Sequence, residues 1–244
     1  MNKLIVTLLV AAAAVMGQPV RGQAHKCSHC GRHRVTTDSL VSIQKAKKYT
    51  ELWGQRAALY NMLGVDSTDI VMLGNSLTHG CEWNELLGTS NVRNRGINGD
   101  IIEGINDRLD CIVGGRPAKI FLMAGTNDVS HNLTPDSIVR AACALIDRIM
   151  EATPSTRLYV QSLLPVNNSF GRYKAMKDKE QTIRDINALL RPEVEKRGLT
   201  WIDIHSRLTD PDGNLRADLT NDGLHLLPEG YLIWREVLLP YINE

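Results

Sequence analysis

A chain of 244 residues with 43% hydrophobic side chains can bury one good core, and a single domain is the economical reading. Its 28 basic and 27 acidic residues leave a net charge of +1, so no global field favours nucleic acid. No basic run with interleaved aromatics is present either, which removes the nucleic-acid-binding classes.

The chain opens with Met1-Asn2-Lys3 and an apolar run from Leu4 to Met16. A positive start followed by a short apolar core reads as a secretory signal, and the run is too short to span a bilayer. Residues 1–24 are therefore expected to be a signal peptide, with cleavage between the small residues Gly17, Gly22 and Ala24. The alternative is a buried N-terminal helix. Export to the periplasm or beyond the cell is the expectation. Residues 25–37 read as a flexible segment carrying Cys27 and Cys30 in a CxxC spacing, with His25 and His33 nearby. A zinc site lacks a second CxxC pair, and a redox motif lacks its strand–helix context. A local disulfide or an exposed thiol pair remains. Cys81, Cys111 and Cys143 lie among apolar neighbours and read as core residues.

Residues 38–244 form the expected domain. Asp38 to Leu63 carries a helical spacing of apolar residues, with Asp38 as cap and Gly64 as stop; its Trp53 and Tyr60 are expected in the core. From there strands and helices alternate. The strands are Asp69–Leu73, Val92–Arg95, Lys119–Ala124, Arg157–Leu163 and Thr200–Ile204. They are short and rich in Val, Ile and Leu, as strands of a covered parallel sheet are. The helices are Glu82–Leu87, Ile101–Cys111, Pro135–Glu151, Lys174–Arg197 and Pro228–Leu239. In the fourth, Ile183, Ile186, Leu189 and Leu190 mark the apolar face, and Pro192 is expected to kink or break the last turn. The fold class is α/β: a three-layer α/β/α sandwich on a five-stranded parallel, flavodoxin-like sheet.

The chemistry gathers at the strand ends, where ligands bind in open α/β sheets. The first strand runs into Gly74-Asn75-Ser76-Leu77, which lifts a hydroxyl from the sheet edge. A serine needs a base, an orienting group and oxyanion donors. Downstream stand Asn94-Arg95-Gly96-Ile97-Asn98-Gly99-Asp100, then Gly125-Thr126-Asn127-Asp128, then Asp222-Gly223-Leu224-His225. His225 suits the base, and Asp222 can fix its tautomer from the same loop. Each segment alone reads as an ordinary turn or cap, whereas their joint order points to a serine hydrolase.

These four segments resemble the SGNH (GDSL-type) hydrolases, a family of serine esterases and acylhydrolases. Asn75 stands where that family carries an aspartate that shapes the turn. The resemblance implies catalytic Ser76, Asp222 and His225, with an oxyanion hole from the Ser76 and Gly99 N–H groups and the Asn127 amide. Gly99 is expected there because a side chain would obstruct close backbone approach. Asn75, His79 and Asn167 are candidate substrate contacts, with Glu82 and Asn168 beside them, while Asp100 and Asp128 are expected to hold their loops by bonding backbone. The closest likeness is to platelet-activating-factor acetylhydrolase-type subunits and to bacterial sialate or other carbohydrate O-acetylesterases. The expected function is removal of short acyl groups, acetyl foremost, from a small-molecule or glycan ester such as an O-acetylated sialic acid. A phospholipid acetylhydrolase is the alternative, and a carbohydrate-binding module with weak turnover is the non-enzyme reading. No P-loop, dinucleotide fingerprint or HExxH is present, so no cofactor and no metal are expected. No membrane span is expected. Oligomeric state is left open, a homodimer among the options.

Overall fold

The computed structural model describes residues 48–244. The proposed signal peptide, the segment carrying Cys27 and Cys30, and the Asp38 cap lie outside the described residues. Five parallel strands build the sheet: β1 (Ile70–Gly74), β2 (Val92–Gly96), β3 (Lys119–Met123), β4 (Arg157–Gln161) and β5 (Thr200–Ile202). Their order is β2-β1-β3-β4-β5. Every residue of β1 and β3 is buried, which is why both run apolar without alternation, apart from Lys119 at the start of β3, whose ammonium bonds the Tyr241 and Ile242 carbonyls.

The connections decide where a site can form. From β1 the chain steps one way to β2, then returns across β1 to β3 and continues outward to β4 and β5. Right-handed crossovers then put the β1–β2 connection on one face and the later ones on the other. Helices α4 (Ile102–Asp107), α7 (Pro135–Ala152) and α8 (Glu180–Lys196) pack in succession on one side. Helices α3 (Trp83–Leu87), α9 (His205–Leu208) and α10 (Pro228–Ile242) form a second group. The order reverses at β1, so the crevice opens at the C-terminal ends of β1 and β3.

Local signals account for most boundaries. Thr134 caps α7 by accepting from Ser137 N–H at 3.3 Å, with Pro135 in the first turn, where a missing N–H does no harm. Its buried face is Ile138, Val139, Ala142, Leu145, Ile146 and Ile149. The first helix, α1 (Glu51–Leu63), starts later than its apolar spacing suggests. Thr50 is the cap, Lys48 and Tyr49 form a turn, and Gly64 ends the helix with φ +63. Trp53, Ala57 and Tyr60 make a small buried cluster with Ile97. Among the described cysteines, Cys81, Cys111 and Cys143 are free, and only Cys81 is fully buried.

Two of the expected helices are built differently. The stretch from Ile101 to Cys111 is not one helix: α4 stops before Arg108, and α5 (Asp110–Val113) starts anew. The break lets the Arg108 guanidinium turn into the interior, where it meets Asp100 and Gly74. Lys174–Met176 is a 3-10 turn separate from α8, which begins at Glu180. Leu189 lies on the exposed side of α8, whereas Val194 takes a buried place. Pro192 sits inside α8 without ending it; Leu190 and Val194 anchor the helix on either side of the ring. No helix among the described residues is long and apolar enough to cross a membrane.

An exposed interior proline still removes one hydrogen bond and crowds the preceding turn. Pro192→Ala should therefore stabilise the fold by about 1–3 kcal/mol, read as a raised midpoint in urea unfolding. An unchanged midpoint would mean that the α8 backbone has already relaxed around the ring.

Candidate active site

The turn after β1 is shaped by what it cannot accommodate. A Cβ on Gly74 would stand 2.2 Å from Thr78 Oγ1 and 2.7 Å from the Met123 carbonyl. A Cβ on Gly96 would stand 2.3 Å from the His79 nitrogen. Both glycines therefore let the short helix α2 (Ser76–His79) nest directly on the ends of β1 and β2. Asn75 caps that helix, its Oδ1 accepting from Leu77 N–H at 3.0 Å. Asn94 holds the other end: its amide reaches the carbonyls of Thr78, His79 and Cys81 at 2.9–3.2 Å, and its Oδ1 accepts from Gly96 N–H. Ser76 is thus presented at the start of a clamped helix.

The Ser76 hydroxyl meets His225 Nε2 at 3.0 Å, across 149 positions of sequence. His225 Nδ1 lies 2.8 Å from Asp222 Oδ2. An ionised carboxylate only accepts, so Nδ1 carries the proton and Nε2 is free to accept from Ser76. Asp222 Oδ1 takes the N–H groups of Leu224 and His225, each at 2.8 Å. Burial pushes the Asp222 carboxyl up, but the hydrogen bonds from His225 and Leu224 prevail and hold it below the usual range. The loop is braced from behind. Thr220 Oγ1 accepts from Gly223 N–H at 2.9 Å, and Asn167 N–H donates to the Gly223 carbonyl at 2.8 Å. Gly223 has φ +86, and a Cβ there would stand 2.2 Å from the Asn167 oxygen.

The candidate oxyanion donors sit on neighbouring strand ends. Asn127 lies on α6 (Thr126–Ser130), directly after β3, and its amide donates to the Asp100 carbonyl at 2.8 Å. That bond ties it to the loop of Gly99 and leaves a second N–H available. The N–H groups of Ser76 and Gly99 bond no other described residue. Gly99 is needed for its φ of +74 rather than for space, because a Cβ there would meet nothing within 4 Å. Asp128 accepts from Ile102 N–H at 3.2 Å, so it holds backbone as expected. Asp100 likewise takes a backbone hydrogen bond, from Ile101, and adds two side chains, Arg108 Nε at 2.8 Å and Trp53 Nε1 at 3.0 Å.

Most of the remaining candidates have partners or burial of their own. Asn75 is buried beneath the turn. His79 has its Nδ1 buried without a partner, and burial followed by the nearby Arg56 pushes its imidazole down. Asn167 spends its side chain on Leu215 and Ser169, and Asn168 donates to Glu180. Glu82 is exposed at the start of α3. Conversely, Tyr173 does reach the site, its hydroxyl 3.2 Å from both Asp222 Oδ2 and His225 Nδ1. A lone tyrosine in a polar loop carries no periodicity or spacing that would single it out. Among the described residues no group of His, Cys, Asp and Glu has the arrangement of a metal site.

The model of the GDSL-like Lipase/Acylhydrolase family matches residues 72–233. Similar solved structures include a candidate platelet activating factor from Streptococcus pneumonia, 26% identical with a TM-score of 0.73, covering 83% of this chain and 99% of that one. A candidate acylhydrolase from Bacteroides fragilis NCTC 9343 is 23% identical with a TM-score of 0.69, covering 78% and 95%. A GDSL-like lipase from Bacteroides thetaiotaomicron VPI-5482 is 22% identical with a TM-score of 0.69, covering 78% and 96%. No curated protein matches the chain.

Asp128 supplies a stability test of the loop between β2 and α4. Burial pushes its carboxyl up from 3.8 to about 6, so the folded protein keeps this proton to higher pH than the unfolded chain does. Its contribution to stability is fully present below about pH 4 and is lost as pH rises through about 6. Asp128→Asn keeps an acceptor for Ile102 and should remove that component, giving a flatter thermal midpoint between pH 4 and 7 than the parent. An identical slope in both proteins would assign the pH dependence to other groups.

Proposed function

The chain belongs to the GDSL-like lipase/acylhydrolase family and is an ester-hydrolysing enzyme, and on that premise we propose that it is an exported serine esterase removing short acyl groups. The observation that carries the reading is the continuous chain from Ser76 Oγ to His225 Nε2 at 3.0 Å and from His225 Nδ1 to Asp222 at 2.8 Å.

In the proposed cycle Ser76 Oγ adds to the ester carbonyl while its proton passes to His225 Nε2. The oxyanion is met by the N–H groups of Ser76 and Gly99 and by the Asn127 amide. Collapse of the tetrahedral adduct breaks the ester C–O bond, and His225 hands its proton to the departing alcohol. Water, deprotonated by His225, then attacks the acyl-serine; the acyl C–Oγ bond breaks, His225 returns the proton to Ser76 Oγ, and the carboxylic acid leaves. Asp222 stays ionised throughout, holding the imidazole tautomer and stabilising its cation.

The preferred acyl group is acetyl and the preferred acceptor a carbohydrate, with carboxylated sugars such as sialic acid foremost. Support comes from the exposed Arg172 and Lys174, the sequence neighbours of the Tyr173 that touches His225. An acidic sugar would find counter-charge there. A second reading, a phospholipid acetylhydrolase, draws support from the likeness to the Streptococcus pneumonia protein, and a phosphate would use the same cations. Export rests on the apolar run from Leu4 to Met16 behind Lys3.

A fluorophosphonate probe should label the protein once, and Ser76→Ala should abolish both labelling and acetyl-ester hydrolysis, the latter by at least about 10³-fold. Labelling that survives would remove Ser76 from the role. Asn127→Ala should lower kcat by roughly 10²–10³-fold with KM little changed, because the charge it meets exists only in the transition state. A raised KM at constant kcat would make Asn127 a substrate-binding residue. Comparing O-acetylated sialic acid, neutral acetylated sugars and short-chain phospholipids separates the acceptor readings. Equal turnover on all three would defeat the acidic-sugar preference.

A further inference from the structure

We infer that Tyr173 is a positioning residue for the His225–Asp222 pair, its hydroxyl completing the hydrogen-bond shell of the carboxylate and fixing the tilt of the imidazole. The inference rests on the proposal that Ser76, His225 and Asp222 carry out the hydrolysis.

Tyr173 reaches the pair from a separate segment, between the 3-10 turns Asn168–Phe170 and Lys174–Met176. Its hydroxyl stands 3.2 Å from Asp222 Oδ2 and 3.2 Å from His225 Nδ1. The direction of the bonds follows from donor accounting. The Nδ1 proton is already directed at Asp222 over 2.8 Å, so the nitrogen has no lone pair to offer the tyrosine. The tyrosine O–H therefore donates to Asp222 Oδ2, and its oxygen faces Nδ1–H as a second, longer acceptor. Burial and the Asp222 charge both push the Tyr173 hydroxyl above its ordinary value, so it remains a donor at neutral pH.

With this bond both Asp222 oxygens have at least two donors: Leu224 N–H, His225 N–H and, at 3.4 Å, the Thr220 hydroxyl on Oδ1, and His225 Nδ1–H and Tyr173 O–H on Oδ2. A carboxylate held at both oxygens cannot swing, and a half-satisfied one would draw in water. The ring adds a steric term, standing edge-on to the imidazole with centroids 5.5 Å apart and planes at 70°. Tilting His225 toward Tyr173 would close that gap and lengthen the 3.0 Å contact between Nε2 and Ser76. The hydroxyl thus acts at Nδ1, whereas the serine meets Nε2. Neither the tyrosine hydroxyl nor its ring touches the reacting atoms.

Tyr173→Phe keeps the ring and removes only the hydroxyl. On an acetyl ester it should lower kcat by about 5- to 20-fold, the weight of one hydrogen bond to a charged group, with KM within about two-fold. The downfield proton resonance of His225 Nδ1–H should move and exchange faster with water. Tyr173→Ala should lose further activity, because the ring wall goes as well. Wild-type kcat with an unmoved Nδ1 resonance in Tyr173→Phe would overturn the assignment. So would a raised KM at unchanged kcat, which would make Tyr173 a substrate contact. Circular dichroism checks that both variants fold. The two levels separate cleanly: hydrolysis surviving in Ser76→Ala defeats the serine mechanism, whereas an inert Ser76→Ala beside a fully active Tyr173→Phe defeats only the tyrosine inference.

Discussion

The buried ion pair between Asp100 and Arg108 is the junction on which the site depends. Arg108 gives Nε to Asp100 Oδ2 at 2.8 Å and Nη2 to the Gly74 carbonyl at 3.0 Å. Asp100 receives Trp53 Nε1 on its other oxygen, and its own carbonyl takes the Asn127 amide. One pair therefore ties the serine turn, the Gly99 loop, the Asn127 helix and α1 together. Burial pushes the Asp100 carboxyl up, and the guanidinium and indole oppose it. Such a pair contributes little net stability, yet breaking it by removing one partner costs about 3–5 kcal/mol. Its value lies in geometry, because the four segments it joins come from distant parts of the chain.

A second constraint is steric. Close approach of α2 to the sheet requires glycine at positions 74 and 96, since a Cβ at either would strike backbone or Thr78. Asn94 then supplies the polar partner that the crowded helix end lacks. The tight fit leaves some groups unmatched: Asn75 Nδ2, Thr78 Oγ1 and His79 Nδ1 are buried without partners. Unpaired polar atoms cost free energy, and these three lie within three residues of the serine proposed to react. The serine is held by a scaffold that gives up stability for placement.

The Asp222–His225 loop is organised differently. It relies on an internal capping pattern, in which Asp222 Oδ1 gathers the N–H groups of Leu224 and His225, and on bracing by Asn167 and Thr220. Acid and base three residues apart can orient each other locally, so this half of the site needs less of the core. It needs neighbouring loops instead, and Tyr173 comes from one of them.

The sequence by itself determined the sheet, the helices around it and the family. Apolar runs of β length, turn glycines and capping residues are short-range signals, and they survive translation into structure nearly intact. Ser76, Gly99, Asn127, Asp222 and His225 were legible because each stands in a dense local motif at a strand end. Only the tertiary structure decided which polar residues face the reacting atoms. Asn75 and Asn167 look like substrate contacts in sequence; in the fold Asn75 Oδ1 caps the serine turn and Asn167 bonds Leu215 and Ser169. Gly99 is required for its positive φ, and no rule of spacing distinguishes that from close approach. Arg108 breaks a helix that its neighbours would have continued, because the ion pair it reaches outweighs local propensity. Tyr173 had no signal at all. Its role is set by a distance between segments 49 residues apart, and such distances are products of packing that no local pattern encodes.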